Sequence, residues 1–105
     1  NGLVRRSSAA AALEIDLLLG DVHSLKEKRG VVRPVLAEVR RRFDVSVAEV
    51  GDQDLLRRAV IGVALVSGEA AYCREVLDSV ERLVAGRPEL EVLSARTRLH
   101  SSTDD

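Results

Sequence analysis

The chain has 105 residues, of which 46% are hydrophobic, and a formal net charge of −1. This length and composition predict one small domain that can bury a core without metal or disulfide support. Because Phe43 and Tyr72 are the only aromatic residues, that core must be aliphatic. The single cysteine, Cys73, excludes an intramolecular disulfide and favours a reducing compartment. No apolar run approaches the roughly 20 residues of a membrane span, so we expect a cytoplasmic protein with no membrane partner.

The sequence predicts three segments along the chain. Residues 1–12 contain GLVRRSS, which is similar to a protease-site linker. We interpret this segment either as an N-terminal extension left by cloning or as a trimmed native start. Residues 13–100 are expected to form the single domain, and residues 101–105 a disordered polar tail.

The first predicted elements are a strand that starts at Leu13 and a helix capped by Ser24. Apolar and acidic residues alternate from Leu13 onwards, which is typical of a strand with one buried face. Ser24 and Glu27 have the spacing of a capping box, and an apolar stripe with helical periodicity follows them. Because Pro34 lies inside this helix, we expect either a kink there or a first turn over 24–29 followed by the main helix.

The second half of the chain predicts strands at 45–48, 59–66 and 90–99. Since the strand at 59–66 is apolar on both faces, we expect it to be central and covered on much of both sides. A second amphipathic helix, ending near Ala85, lies between the last two strands. The order strand, helix, strand, strand, helix, strand predicts a split βαβ arrangement, with both helices on one face of a four-stranded antiparallel sheet.

Two motifs connect the chain to a known family. SLKEKR stands at 24–29, and RRRFDVSVAEVGDQDLLRRAVIGVALVS stands at 40–67. Together they resemble the YlxP-like family of small uncharacterised bacterial proteins, a domain of unknown function, over about residues 13–99. The resemblance implies a ferredoxin-like βαββαβ sandwich of the α+β class, and a gene close to those for transcription and translation factors. It implies no established activity, catalytic residue or cofactor.

No residue is a candidate for catalysis, cofactor binding or metal binding. His23 and His100 are far apart in sequence, and neither has a neighbouring ligand or an oriented partner. We interpret Cys73 as a small core residue on the apolar stripe of the second helix. The chain contains no phosphate loop, nucleophile elbow or dinucleotide fingerprint. An enzyme is therefore the least favoured function class.

The loop after the second strand carries the acidic part of the second motif. Its motif residues are Glu49, Asp52, Gln53 and Asp54. A calcium loop would need a glycine at its sixth position and a glutamate at its twelfth, so a solvated hairpin turn is favoured. Glu49 falls on the alternation that points to the apolar face, and we expect Arg57 or Arg58 to pair with it.

Charge is distributed unevenly along the chain. Residues 22–42 hold seven basic and two acidic groups, a balance of +5, whereas residues 43–105 hold seven basic and twelve acidic groups, a balance of −5. The first function class is therefore an RNA-binding or ribosome-associated module with a basic helix. Its candidate phosphate contacts are Lys26, Lys28, Arg29, Arg33, Arg40, Arg41 and Arg42. The alternative is a protein-interaction or small-ligand regulatory module that associates with itself, as a homodimer, through the open sheet face or an edge strand.

Overall fold

The computed structural model describes the backbone of residues 6–104 and the side chains of residues 8–102. Its elements are β1 (Arg6–Leu19), α1 (Leu25–Arg42), β2 (Ser46–Gly51), β3 (Arg58–Ser67), α2 (Ala70–Ala85) and β4 (Leu90–Asp104). The strands form one sheet in the order β2-β3-β1-β4, and every neighbouring pair is antiparallel. The predicted α+β, ferredoxin-like architecture is confirmed.

The core lies between one face of the sheet and the two helices. Alternate side chains of β1, such as Ile15 and Leu17, are completely buried there. Val35 of α1 and Leu77 of α2 pack against the same layer, and Cys73 is a buried core residue as predicted. An aliphatic core of this kind gains its stability from the apolar area that it removes from water.

The first and the last strand of the chain are longer than the sequence pattern indicates. β1 begins at Arg6 rather than Leu13, and its residues Ala9 and Ala11 are buried in the core. β4 continues to Asp104 as the antiparallel partner of β1. Residues 6–12 and 101–104 therefore belong to the sheet, while the remainder of the predicted extension and tail lies outside the described residues. Alanine and serine have weak strand propensity, so cross-strand pairing and not local preference extends these strands.

The strand β3 is central in the sheet, as predicted, but the expectation that it is covered on much of both sides is wrong. Ile61 and Val63 on one face are buried under the helices, whereas Val66 on the other face is 79% exposed. Both helices pack against the same face of the sheet, so the opposite face, which we call the open face, is uncovered.

The first helix runs without interruption through Pro34. Its cap is the predicted one, since the Ser24 hydroxyl accepts a hydrogen bond of 3.1 Å from the backbone N–H of Glu27. The alternative of two helical segments is wrong, because α1 is one element over all its 18 residues. Gly30 and Pro34 are both exposed, so water can reach the Gly30 carbonyl that the proline cannot satisfy.

Replacing Pro34 with alanine is expected to raise the free energy of unfolding by about 1–2 kcal/mol. The variant regains a helical hydrogen bond to Gly30, and the greater freedom of its unfolded chain offsets part of this gain. Urea denaturation of both proteins measures the difference. The neighbouring exposed substitution Arg33→Ala is the control and should change stability by no more than about 0.5 kcal/mol. A less stable Pro34→Ala protein would contradict the prediction.

Candidate functional site

The two sequence motifs meet at a buried lysine. Lys28 of α1 is only 2% exposed, and its Nζ donates hydrogen bonds to the carbonyl oxygens of Asp52, Gln53 and Leu55 at 2.7, 3.2 and 2.7 Å. The same Nζ lies 3.0 Å from Oε2 of Glu49. An ammonium has three protons, and the three carbonyls can take all of them. Glu49 is thus held by charge attraction, which agrees with the absence of a hydrogen bond to its buried Oε2. We call this cluster the Lys28 anchor.

The Lys28 anchor shows that two sequence-based expectations, for Lys28 and for the partner of Glu49, are wrong. Lys28 was expected among the phosphate contacts, but its burial and its four oxygen neighbours remove it from the accessible surface. Glu49 pairs with Lys28 rather than with Arg57 or Arg58. Arg57 donates instead to two backbone carbonyls at the end of β1, and Arg58 lies beside a β1 carboxylate. Arg57 therefore connects the end of the loop before β3 to the end of β1, and Arg58 connects β3 itself to β1.

The loop between β2 and β3 turns its carbonyl groups inward to reach this ammonium. Asp52 has a φ of 56°, a left-handed conformation that aspartate tolerates better than most residues. The Asp52 carbonyl also accepts from the backbone N–H of Leu55, and the Gln53 side chain donates to the Glu49 carbonyl. The described residues contain no group of three or more His, Cys, Asp or Glu arranged to hold a metal ion. The inward carbonyls already have a cationic partner in Lys28.

The outer surface of α1 carries a row of cations. With about 100° of rotation per residue, four of them fall within about 60° of one another, over an axial length of about 21 Å. These residues, which we call the basic stripe, are Lys26, Arg29, Arg33 and Arg40, and all are exposed. The stripe runs along one flank of the buried side of α1, since Arg29 lies about 60° around the helix from the buried Val32 and Arg40 reaches β2.

Most of the basic stripe is without acidic partners. In the part of the chain that the structure describes, no carboxylate lies within ion-pair distance of Lys26, Arg29 or Arg33. Arg40 is anchored differently, since its Nη2 donates to the carbonyl of Val47 on β2 at 2.9 Å. The stripe therefore presents full positive charge to the solvent.

The remaining two predicted contacts are partly neutralised. Glu38 Oε2 lies 3.8 Å from Arg41 Nη2 and 3.7 Å from Arg42 Nε. The other oxygen of Glu38 accepts from Arg87, which in turn contacts Glu89. Arg41 and Arg42 thus belong to an ion-pair network between the ends of the two helices, where cations also complement the helix dipole.

The open face is the side of the sheet that the two helices leave uncovered. It carries small side chains at its centre and a depression of about 490 Å³. The exposed alanines and valines on this face are Ala10, Ala12, Ala48, Val50, Ala64 and Val66. The alternation of β1 continues through Ala10 and Ala12 and could have indicated this face, but a run of four alanines hides which of them are exposed.

The two histidines do not converge on a common site. His23 lies near the start of α1, with Nε2 2.9 Å from Oδ1 of the exposed Asp21. His100 lies on β4, on the open face opposite Ala10. Neither described helix is long and apolar enough to cross a bilayer.

These features define a small ferredoxin-like α+β domain with a basic first helix and one open sheet face. Residues 10–97 match the model of a family described as a protein of unknown function, DUF503. The chain is 36% identical over 84 residues to the uncharacterised protein YlxP of Bacillus subtilis (strain 168), covering 80% of this chain and 91% of that protein. It belongs to the DUF503 family, which confirms the YlxP-like resemblance.

Two solved structures match the chain at low similarity. The de novo designed protein Foldit4 has a TM-score of 0.49 and 12% identity, covering 93% of this chain and 99% of that chain. Protein SO0527 from Shewanella oneidensis has a TM-score of 0.46 and 18% identity, covering 93% and 92%. The fold assignment rests on the strand order and pairing described above.

Proposed function

We propose that the basic stripe binds the phosphate backbone of structured RNA, with a ribosomal subunit as the natural setting. The observation that carries this proposal is the row of exposed cations on one side of α1, three of them without an acidic partner among the described residues. A cation that is not neutralised within its own protein can release counterions from a phosphate when it binds.

The field of the stripe is local even though the protein is weakly acidic. The balance of +5 over residues 22–42 is offset by acidic residues elsewhere in the chain. At physiological ionic strength, charges more than about 8 Å apart are largely screened. A polyanion at α1 therefore experiences mainly the stripe.

The stripe is suited to backbone recognition rather than to base recognition. None of its four residues is aromatic, and Tyr72, which is 51% exposed, lies on α2. The open face also lacks the aromatic residues on which sheet-based RNA-binding modules stack bases. We therefore expect weak sequence dependence and a preference for folded RNA, whose rigid phosphates can match a rigid helix.

The test compares two double variants with the same change in net charge. Arg29→Gln with Arg33→Gln removes two cations from the middle of the stripe. Arg74→Gln with Arg82→Gln removes two exposed cations from α2 and serves as the control. Affinity for purified ribosomal subunits is measured at several salt concentrations.

The stripe variant is expected to bind more weakly, and its plot of log affinity against log salt should be shallower by about two units. The control should keep the wild-type slope. Equal losses in both variants would indicate a non-specific charge effect and contradict the proposal. Absence of wild-type binding at low salt would reject it.

A further inference from the structure

The two edge strands of the sheet, β2 and β4, differ in how their outer backbone groups are satisfied. On β2, Arg40 donates to the outward carbonyl of Val47 at 2.9 Å. The Gln53 side-chain amide donates to the next outward carbonyl, that of Glu49, at 3.2 Å. A strand edge whose N–H and C=O groups are unpaired accepts another strand, and side chains that occupy these groups oppose it. The β2 edge is therefore closed to a further strand.

The outer backbone groups of β4 carry no such caps. Successive residues of a strand turn their N–H and C=O groups to opposite sides. The N–H of Gly20, just after β1, donates towards β4, so the even-numbered residues of β1 face β4, and Ala12 exchanges its bonds with Arg98. The neighbours of Arg98, Thr97 and Leu99, therefore turn their backbone groups outward. Among the described residues, no side chain or loop bonds to these groups.

The uncapped edge is also long and regular. The pairing of β4 with β1 shifts at Leu93, but from Ser94 to Ser102 it runs without a further irregularity. This run contains no proline or glycine. It is roughly 30 Å long, whereas a typical strand is about 17–20 Å. The edge can therefore pair with a complete additional strand.

Basic side chains border this edge on the open face. They belong to Arg96, Arg98 and His100, which alternate along β4. Arg96 contacts Glu14 at 3.4 Å and remains 67% exposed. In the described part of the chain, no carboxylate lies within ion-pair distance of Arg98 or His100. A strand added to β4 holds its side chains directly opposite these residues, where groups of opposite charge attract.

The same charges oppose the pairing of β4 with a second copy of itself. An antiparallel pair with Thr97 opposite Thr97 sets Arg96 of each copy directly opposite Arg98 of the other. Moving the two-fold axis by one residue sets Arg96 against Arg96 or Arg98 against Arg98. Like charges directly opposite each other destabilise a strand pair. A strand that carries carboxylates at alternate positions avoids this repulsion.

We propose that the outer edge of β4 binds an acidic, extended segment of another protein, which adds to the sheet as a fifth strand. Outward backbone groups, such as those of Thr97 and Leu99, supply the hydrogen bonds, and alternate carboxylates opposite Arg98 supply the selectivity. This contact lies on β4, whereas the proposed RNA contact lies on α1. Failure of one proposal therefore leaves the other standing.

An NMR titration of the full chain with a synthetic peptide tests the proposal. The probe has about seven residues and alternates valine with glutamate, and a peptide with lysine in place of glutamate is its charge control. The acidic peptide is expected to shift the amide signals of Thr97 and Leu99 on the outer edge of β4. The amide signals of Val47 and Glu49, on the capped edge, should stay unchanged.

Two variants separate the contribution of charge from that of the backbone. Arg98→Glu should raise the Kd of the acidic peptide at least roughly tenfold and should strengthen binding of the lysine peptide. Arg74→Glu makes the same change on α2 and should leave both affinities unchanged. Thr97→Pro removes an outward N–H but no bond to β1, so it should weaken binding while the sheet stays intact. Thermal unfolding checks that all three variants fold.

A modified peptide keeps the test decisive if Thr97→Pro does not fold. An acidic peptide that is N-methylated at alternate residues cannot donate to the edge and should not bind the wild type. Absence of binding by the unmodified acidic peptide at millimolar concentration would overturn the proposal, and so would shifts confined to α1. A wild-type dimer with protected amides on β4 would assign the edge to a second copy, which also contradicts an acidic partner.

Discussion

Replacing Lys28 with methionine is expected to lower the free energy of unfolding by about 3 kcal/mol, one of the two largest effects that we predict. Methionine keeps the apolar stem but removes the ammonium from three carbonyls and from Glu49, which keeps its negative charge in a site with 22% side-chain exposure. Removing one partner of a buried ion pair typically costs about 3–5 kcal/mol. We expect the lower end because Glu49 is in partial contact with water. Urea denaturation measures the loss.

Two further variants distinguish the effect of an unpaired buried charge from the effect of replacing any lysine. Lys26→Met makes the same substitution two residues away, at an exposed position, and should change stability by no more than about 0.5 kcal/mol. Adding Glu49→Gln to Lys28→Met should recover part of the loss, because no unpaired charge remains. If the Lys28 and Lys26 variants were equally stable, the anchor would have no structural role.

Replacing Leu17 with alanine is expected to cost about 3 kcal/mol. Leu17 is completely buried near the C-terminal end of β1, where this strand lies between β3 and β4. A substitution of this type loses the transfer free energy of the side chain and leaves a cavity, together about 2–5 kcal/mol. Small domains have a total stability of about 5–15 kcal/mol, so the variant should unfold at a much lower temperature.

The control for this prediction is the same chemical change on the surface. Leu55→Ala, in the loop between β2 and β3, alters a side chain that is 51% exposed and should cost less than about 1 kcal/mol. Calorimetric melting of the three proteins measures both effects. A Leu17→Ala protein as stable as the Leu55→Ala protein would show that the core between sheet and helices is misplaced.

The order of strands and helices can be predicted from the sequence because the hydrophobic periodicity of each element depends only on neighbouring residues. The alternation that starts at Leu13 and the helical stripe that follows Ser24 each depend on neighbouring residues, and both elements are present. Residues 6–12 were missed because alanine and serine carry no hydrophobic alternation, so only pairing with β3 and β4 reveals the strand.

The candidate site was only partly predictable, for a similar reason. Helical spacing places Arg29 and Arg33 on one exposed stripe without any knowledge of the fold. The same spacing places Lys28 on the buried side of the helix. A lysine does not fit an apolar stripe, so its burial cannot be predicted until its partners are known. Those partners lie at least 21 residues further along the chain, at Glu49 and beyond. Local patterns cannot report contacts of that separation.

The Lys28 anchor lies between Lys26 and Arg29 of the basic stripe, and this placement links the loop to the proposed RNA contact. If the loop at 52–55 opens, the first turns of α1 lose one of the contacts that hold the helix in place. Thermodynamic reciprocity then requires that RNA, by binding the ordered helix, suppresses opening of the loop by the same factor by which opening weakens RNA binding. Slower amide hydrogen exchange at the backbone N–H of Leu55 would therefore report on a ligand that never touches that loop.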